Sequence, residues 1–419
     1  MLGRRDRELL DGVHGEGAAF AMRLVLRAAA VTGATRLIDI TGAHVDSCLY
    51  HGEASLDFVG RLVDGGARVS VPTTLNVGAL DLLHPELQRG DARTADRGRL
   101  LMDRYRSLGA RPTFTCAPYQ LAGARPSLGE QVAWGESNAI AFCNSVLGAR
   151  TNRYGDFIDV AAAITGRVPD AGLHRTEERR ATLVLRFAPD VPPALLDSDV
   201  LFPVLGIVLG RRAGSAVAVI DGLRHGQTED RLKALGAAAA SSGSVAMFHV
   251  VGSTPEALTL DDALQHAPPE QVELVSLAEL RAVRNELTTA TGDRLGAVSL
   301  GTPHASLSEL DRYTALFGDR EVHPDVECLV STGRDVLAQA TERGITERLR
   351  SAGVELLVDT CSYLTPILRP SDGAVMTDSG KWAYYAPGNV GASVVFGSPE
   401  ECIRSAVAGR IVRDDGLWA

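Results

Sequence analysis

Short runs of β-branched and other apolar residues alternate along the chain with longer amphipathic stretches. The runs read TRLIDIT from Thr35, ARVSVPTT from Ala67, RPTFTCAP from Arg111, AVAVIDG from Ala216, VAMFHVVG from Val245 and VELLVDTC from Val354. Each has the length of a buried strand, and the stretches between them carry helical periodicity. That alternation predicts an α/β fold, with parallel or mixed sheets flanked by helices in more than one subdomain. Ligands of such sheets collect beyond the carboxyl ends of the strands, so chemistry-bearing residues placed there carry weight.

Helix starts are legible in two places. Ser398-Pro399-Glu400-Glu401 combines a capping residue, a proline suited to the first helical position and a glutamate that completes a capping box. Ser127 and Glu130 suggest a second box, opening one helix through GEQVAWGESNAIAFCNSVLG, in which Glu136, Ser137, Asn144 and Ser145 interrupt an apolar face. Pro189, Pro192 and Pro193 place an internal boundary near 190–200, and the HAPPE stretch places another near 267–270.

Composition narrows the function. With 45% hydrophobic residues the chain can bury a large core, while 42 basic against 52 acidic side chains give a formal charge of −10. That balance argues against a nucleic-acid footprint or an anionic membrane surface as partner. The apolar run Leu201 to Leu209 falls well short of the roughly 20 residues a membrane span needs. The N-terminus turns acidic and polar after its arginines, which predicts a cytoplasmic protein without a secretory signal.

Six cysteines, at 48, 116, 143, 328, 361 and 402, form no CxxC pair and are too sparse for a disulfide scaffold. Cys116 and Cys361 each follow a strand-like run, whereas Cys402 falls in the first turn of the helix opened at Ser398, where the helix dipole favours a thiolate. No phosphate-binding GxxxxGK[ST] loop or zinc-binding HExxH is present. Gly135 to Ala139 has the outline of a nucleophile elbow but falls inside the predicted helix, which argues against a serine hydrolase. His44 and His304 each follow an apolar run, and Lys381 stands among hydroxyls and aromatics in MTDSGKWAYY.

Taken in order, Gly15-Glu16-Gly17, AHVDS, VPTTLNV, TCAPY, WGESNA, NSVLGARTNR, AAITGR, GTPHAS, DTC and MTDSGKWAYY resemble the large domain of the aconitase X family nearly end to end. The resemblance implies an aconitase-like large domain and a hydro-lyase that dehydrates a small hydroxylated carboxylic acid with an iron-sulfur cluster. Characterised families of this kind act on cis-3-hydroxy-L-proline or on mevalonate 5-phosphate. It assigns cluster ligation to Cys116 and Cys361. The third ligand commonly comes from a GCPH motif that here reads GTPH, with Thr302 in the cysteine's place, so Cys402 is the substitute candidate and the centre can be a two-, three- or four-iron cluster or mononuclear iron.

The resemblance carries substrate contacts onto Val45, Asp46, Ser47, Asn76, Glu136, Ser137 and Lys381; with His44 and Val77 added as substrate-binding candidates, the catalytic candidates are Glu136, Ser137, His304 and Lys381. In this scheme Lys381 and Asn76 hold the substrate carboxylate, and Glu136 with Ser137 orients substrate or relays a proton. The family also places a small swivelling domain over the cluster, which is expected here as a separate partner subunit. A dehydratase of another hydroxy acid, and a copy that has lost its cluster and serves in binding or assembly, are the rival readings.

Overall fold

The computed structural model describes residues 2–419. They divide into two compact units, one of residues up to 80 with 90–180, the other of residues 81–89 with 181–419. The division falls after Arg180. The proline-rich stretch 190–200 lies within the second unit, where it carries the short helix Pro193–Leu196 and leads to the helix Leu201–Ala213, and residues 267–270 lead directly into a strand.

In the first unit, β1 (Leu37–Asp39) pairs antiparallel with β5 (Arg167–Pro169), and a separate sheet has the order β3 (Thr73–Leu75), β2 (Ala43–Val45), β4 (Ala133–Trp134). The three strands of that sheet are parallel. Their residues are buried throughout, as expected where both faces are covered.

Two expectations change here. RPTFTCAP is not a named strand: it follows β3 only through Arg111 N–H to Thr73 O (2.8 Å) and Thr115 N–H to Leu75 O (3.1 Å), while Thr113 offers its hydroxyl to Leu75 and Phe114 adopts φ 40°. A bulky residue at positive φ breaks the extended run before Cys116. Nor is 127–148 one helix. Ala133 and Trp134 pair with β2, Glu136 turns the chain at φ 60°, and a short helix Ser137–Phe142 begins only then, running into a π turn Cys143–Leu147 that Gly148 ends at φ 67°. Sheet pairing of Ala133 and Trp134 outweighs the helical pattern around them.

The second unit holds two parallel sheets. The first orders β8 (Phe248–Val250), β7 (Ala218–Asp221), β6 (Leu183–Phe187) and β9 (Gln271–Val275); the second orders β12 (Val354–Leu357), β11 (Glu327–Thr332), β10 (Leu295–Ala305), β13 (Ala374–Thr377) and β14 (Val394–Phe396). Val298, Leu300, Val330 and Met376 from the second sheet pack with Leu310, Phe317 and Ile403 from its helices. The helix Pro399–Ala408 opens with the expected capping box, Ser398 and Glu401 each satisfying the other's backbone N–H. Such a cap contributes about 1 kcal/mol. No helix among the described residues is long and apolar enough to cross a membrane.

Candidate active site

Because β2, β3 and β4 are parallel, their carboxyl ends deliver three motif stretches to one edge of the sheet: Asp46 and Ser47 after β2, Asn76 and Val77 after β3, Glu136 and Ser137 after β4. Val45 and Val77 are packing residues, almost fully buried. Gly135 lets the third stretch lie close, since a Cβ there would stand 3.0 Å from Asp159 Oδ2 and from Asp46 Cβ.

The turn after β2 is fixed by Asp159, a fully buried carboxylate in the apolar helix Ile158–Thr165. Asp159 Oδ2 accepts the backbone N–H of Asp46 (2.7 Å) and of Ser47 (3.2 Å), and Oδ1 accepts the Ser47 hydroxyl (3.0 Å). Tyr105 in turn donates to Ser47 Oγ at 2.8 Å, so the serine's hydroxyl is engaged in holding the turn. Burial, followed by repulsion from Asp156, pushes Asp159 up to about 6. Sequence reasoning missed Asp159; a lone carboxylate in the apolar run IDVAAAIT was the available signal.

Asp46 itself is half-buried and accepts the side-chain amide of Asn76. Burial and the carboxylates of Glu136, Asp156 and Asp159 push it up to about 8, against that hydrogen bond. Glu136 accepts Ala139 N–H at 2.7 Å, capping the helix that its own positive-φ turn begins. His44 is wholly buried in β2, its Nδ1 2.8 Å from the Thr74 hydroxyl, and burial lowers it to about 4, so the ring is neutral. Its Nε2, like Asn76 Oδ1, has no hydrogen-bond partner among the described residues. Cys116 is buried in this unit, where its carbonyl accepts the Asn138 amide at 2.9 Å.

In the second unit, Cys361 follows β12 through a sharp turn at Asp359 (φ 63°), whose carboxylate accepts Arg334 Nε at 2.6 Å and Leu82 N–H at 3.1 Å. His304 Nε2 donates to Thr360 O at 3.0 Å, which fixes the orientation of the ring. The donor atoms of His304 and Cys361 lie within 4.8 Å of each other, and both residues are buried. Thiolate with imidazole is a donor pair suited to iron. Lys381 is buried in the first turn of the helix Gly380–Asn389, which is tethered beside Cys361 by Trp382 Nε1 donating to Ser362 Oγ at 2.9 Å.

Cys402 does not join this pair. It packs in the apolar cluster with Val298, Cys328 and Ile403, where burial pushes its thiol well above the usual range. The helix start expected to favour its thiolate is present, but the surrounding hydrocarbon dominates. Thr302 has a buried hydroxyl without a partner among the described residues and lines a recess of about 40 Å³ with Lys233 and Asp378. A second group that sequence reasoning missed surrounds it. Buried Lys233 bonds Glu309, and Tyr313 donates to Asp378 at 3.0 Å, at the wall of a cavity of about 660 Å³.

Models of the aconitase X first, second and third domains match residues 1–177, 181–285 and 295–408. The chain is 44% identical to a cis-3-hydroxy-L-proline dehydratase of Pseudomonas aeruginosa, over 97% of this chain and 70% of that protein. It is 35% identical to the phosphomevalonate dehydratase large subunit of Methanothermobacter thermautotrophicus, over 94% and 96% of the two chains. The crystal structure of Thermococcus kodakaraensis aconitase X in its holo-form superposes with a TM-score of 0.86 at 32% identity, covering 97% of this chain and 100% of that one.

Proposed function

Because this chain belongs to the aconitase X family and is a hydro-lyase of it, we propose that it dehydrates cis-3-hydroxy-L-proline or a closely related cyclic hydroxy amino acid. The observation that carries this choice is the level of identity: 44% and 41% to two hydroxyproline dehydratases, against 35% and 33% to two phosphomevalonate dehydratase large subunits. The carboxylates after β2 and β4 support it, since they suit an amino acid better than a phosphate ester.

The residues that would hold an iron-sulfur or iron centre are Cys361 and Cys116, with His304 contributing nitrogen where Thr302 replaces the family's third cysteine. The donor chemistry supports this fit: His304 is oriented by the Thr360 carbonyl, as metal-bound histidines usually are. When bound, such a centre supplies Lewis acidity for departure of the substrate hydroxyl.

The remaining work belongs to side chains. Dehydration removes the proton on the carbon bearing the carboxylate and the hydroxyl on the neighbouring carbon, giving an enamine acid and water. Lys381 holds the substrate carboxylate, which also makes the adjacent C–H more acidic. Glu136, presented at a strained turn beside Ser137, orients the substrate and relays the proton. Asn76 directs one of its two amide N–H bonds to Asp46, which fixes its side chain beside that carboxylate. A small subunit carrying the swivelling domain completes the enzyme, in keeping with the large-subunit names of several relatives.

The test is anaerobic reconstitution with iron, sulfide and the small partner, followed by assay of pyrroline carboxylate formed from cis-3-hydroxy-L-proline. Turnover of that substrate is expected. Dehydration of mevalonate 5-phosphate with none of hydroxyproline would refute the choice.

A further inference from the structure

We propose that Asp46 and Asn76 together read the secondary ammonium of an amino-acid substrate, each accepting one of its two N–H bonds. This rests on the reading of the chain as a dehydratase of a cyclic hydroxy amino acid and assigns the residues that make it so. A protonated ring nitrogen offers two donors and no acceptor. Asn76 is only 3% exposed, directs its amide N–H into Asp46, and thereby places its own carbonyl oxygen next to that carboxylate. That oxygen has no partner among the described residues. A buried amide oxygen left unsatisfied costs on the order of 1–3 kcal/mol, which a ligand N–H recovers. Asp46 supplies the second acceptor from a half-buried position that a small ligand can reach.

Charge points the same way. Burial first, and then the charges of Glu136, Asp156 and Asp159, raise the proton affinity of Asp46 well above that of an ordinary aspartate. A cation brought to Asp46 relieves that crowding, whereas a phosphate would add charge of the same sign. Gly135, whose Cα admits no side chain against Asp46, keeps β4 and the Glu136 carboxylate close to this position. The arrangement therefore selects for a cyclic imino acid and against a phosphorylated hydroxy acid of similar size.

The experiment uses the full chain, iron-loaded and with its small subunit, and compares by calorimetry two ligands that differ only at the ring nitrogen: L-proline and cyclopentanecarboxylate. L-Proline should bind at least ~10-fold more tightly, the worth of a charge-assisted hydrogen bond. In Asp46→Asn the preference should fall to about 2-fold or less, with cyclopentanecarboxylate affinity unchanged. Asn76→Leu should reduce proline affinity in the same selective way. Equal binding by the wild type, failure to bind L-proline, or a preference that survives Asp46→Asn overturns the proposal. A wild type that keeps the Asp46-dependent preference but dehydrates no hydroxy amino acid leaves this recognition standing while the proposed reaction falls.

Discussion

Asp159 offers a test of how the turn after β2 is held. Asp159→Asn keeps the side chain's volume but exchanges one acceptor oxygen for an NH2 donor. With its oxygen facing the Asp46 and Ser47 amides, the new NH2 can donate to Ser47 Oγ but confronts Val160 N–H, which the native Oδ1 accepts at 2.6 Å. The buried N–H left unpaired costs about 1–3 kcal/mol. Against this stands the native carboxylate's own burden. Its pKa of about 6 in the folded chain, above the ordinary 3.8, means that the native state holds a proton more tightly than the unfolded state. The contribution of Asp159 to wild-type stability therefore falls as pH rises through the window from 3.8 to 6, by two pH units at about 1.4 kcal/mol each, or about 3 kcal/mol. The asparagine variant lacks that slope. It should be less stable than wild type near pH 4 and draw level with it, or surpass it, near pH 7.5. Urea unfolding at the two pH values, with hydrogen exchange followed in peptides of the first unit, measures the difference. Parallel stability curves, with a constant gap between variant and wild type, would refute the argument.

Other expectations follow from the same geometry. Cys361→Ser should abolish iron binding, read by metal analysis and visible absorbance, while Cys402→Ala should retain full iron content and cost about 1–2 kcal/mol from the apolar core. Gly135→Ala should cost about 1–3 kcal/mol by pushing β4 away from Asp46, and kcat/KM should fall further than that loss of folding stability explains. Lys233→Met strands the Glu309 carboxylate, so a loss of about 3–5 kcal/mol is expected in thermal or urea unfolding, with iron content unchanged.

The strands of the second unit were legible because parallel strands buried on both faces read as continuous apolar runs, as in VELLVDTC, where β12 ends four residues before Cys361. The capping box at Ser398 was equally legible, because its two side-chain bonds are local. Local signals failed where a distant partner decided the outcome. The pattern of 127–148 is helical on its own, yet β2 captures Ala133 and Trp134, and this moves Glu136 from the middle of a helix to a strand-to-helix turn. The elbow-like outline of Gly135 to Ala139 was thus dismissed for a reason that the structure removes, although it is Glu136, not Ser137, that occupies the positive-φ position. Cys402 failed in the opposite way: the helix start was right, but its apolar surroundings come from β10, β11 and other elements far away in sequence. Asp159 and the Lys233–Glu309 pair went unseen because Ser47 and Glu309, which give these charges their meaning, lie more than 70 residues away.

The turn at Glu136 has an evolutionary consequence. Glutamate is a poor choice for a backbone at φ 60° and ψ 124°, and glycine would hold the same conformation with less strain, so the residue persists only while its carboxylate is needed. Among descendants of this fold, lineages that abandon the reaction should drift toward glycine at this position before the surrounding core decays. The identity of one residue can then separate working copies from lapsed ones in a genome, ahead of any assay.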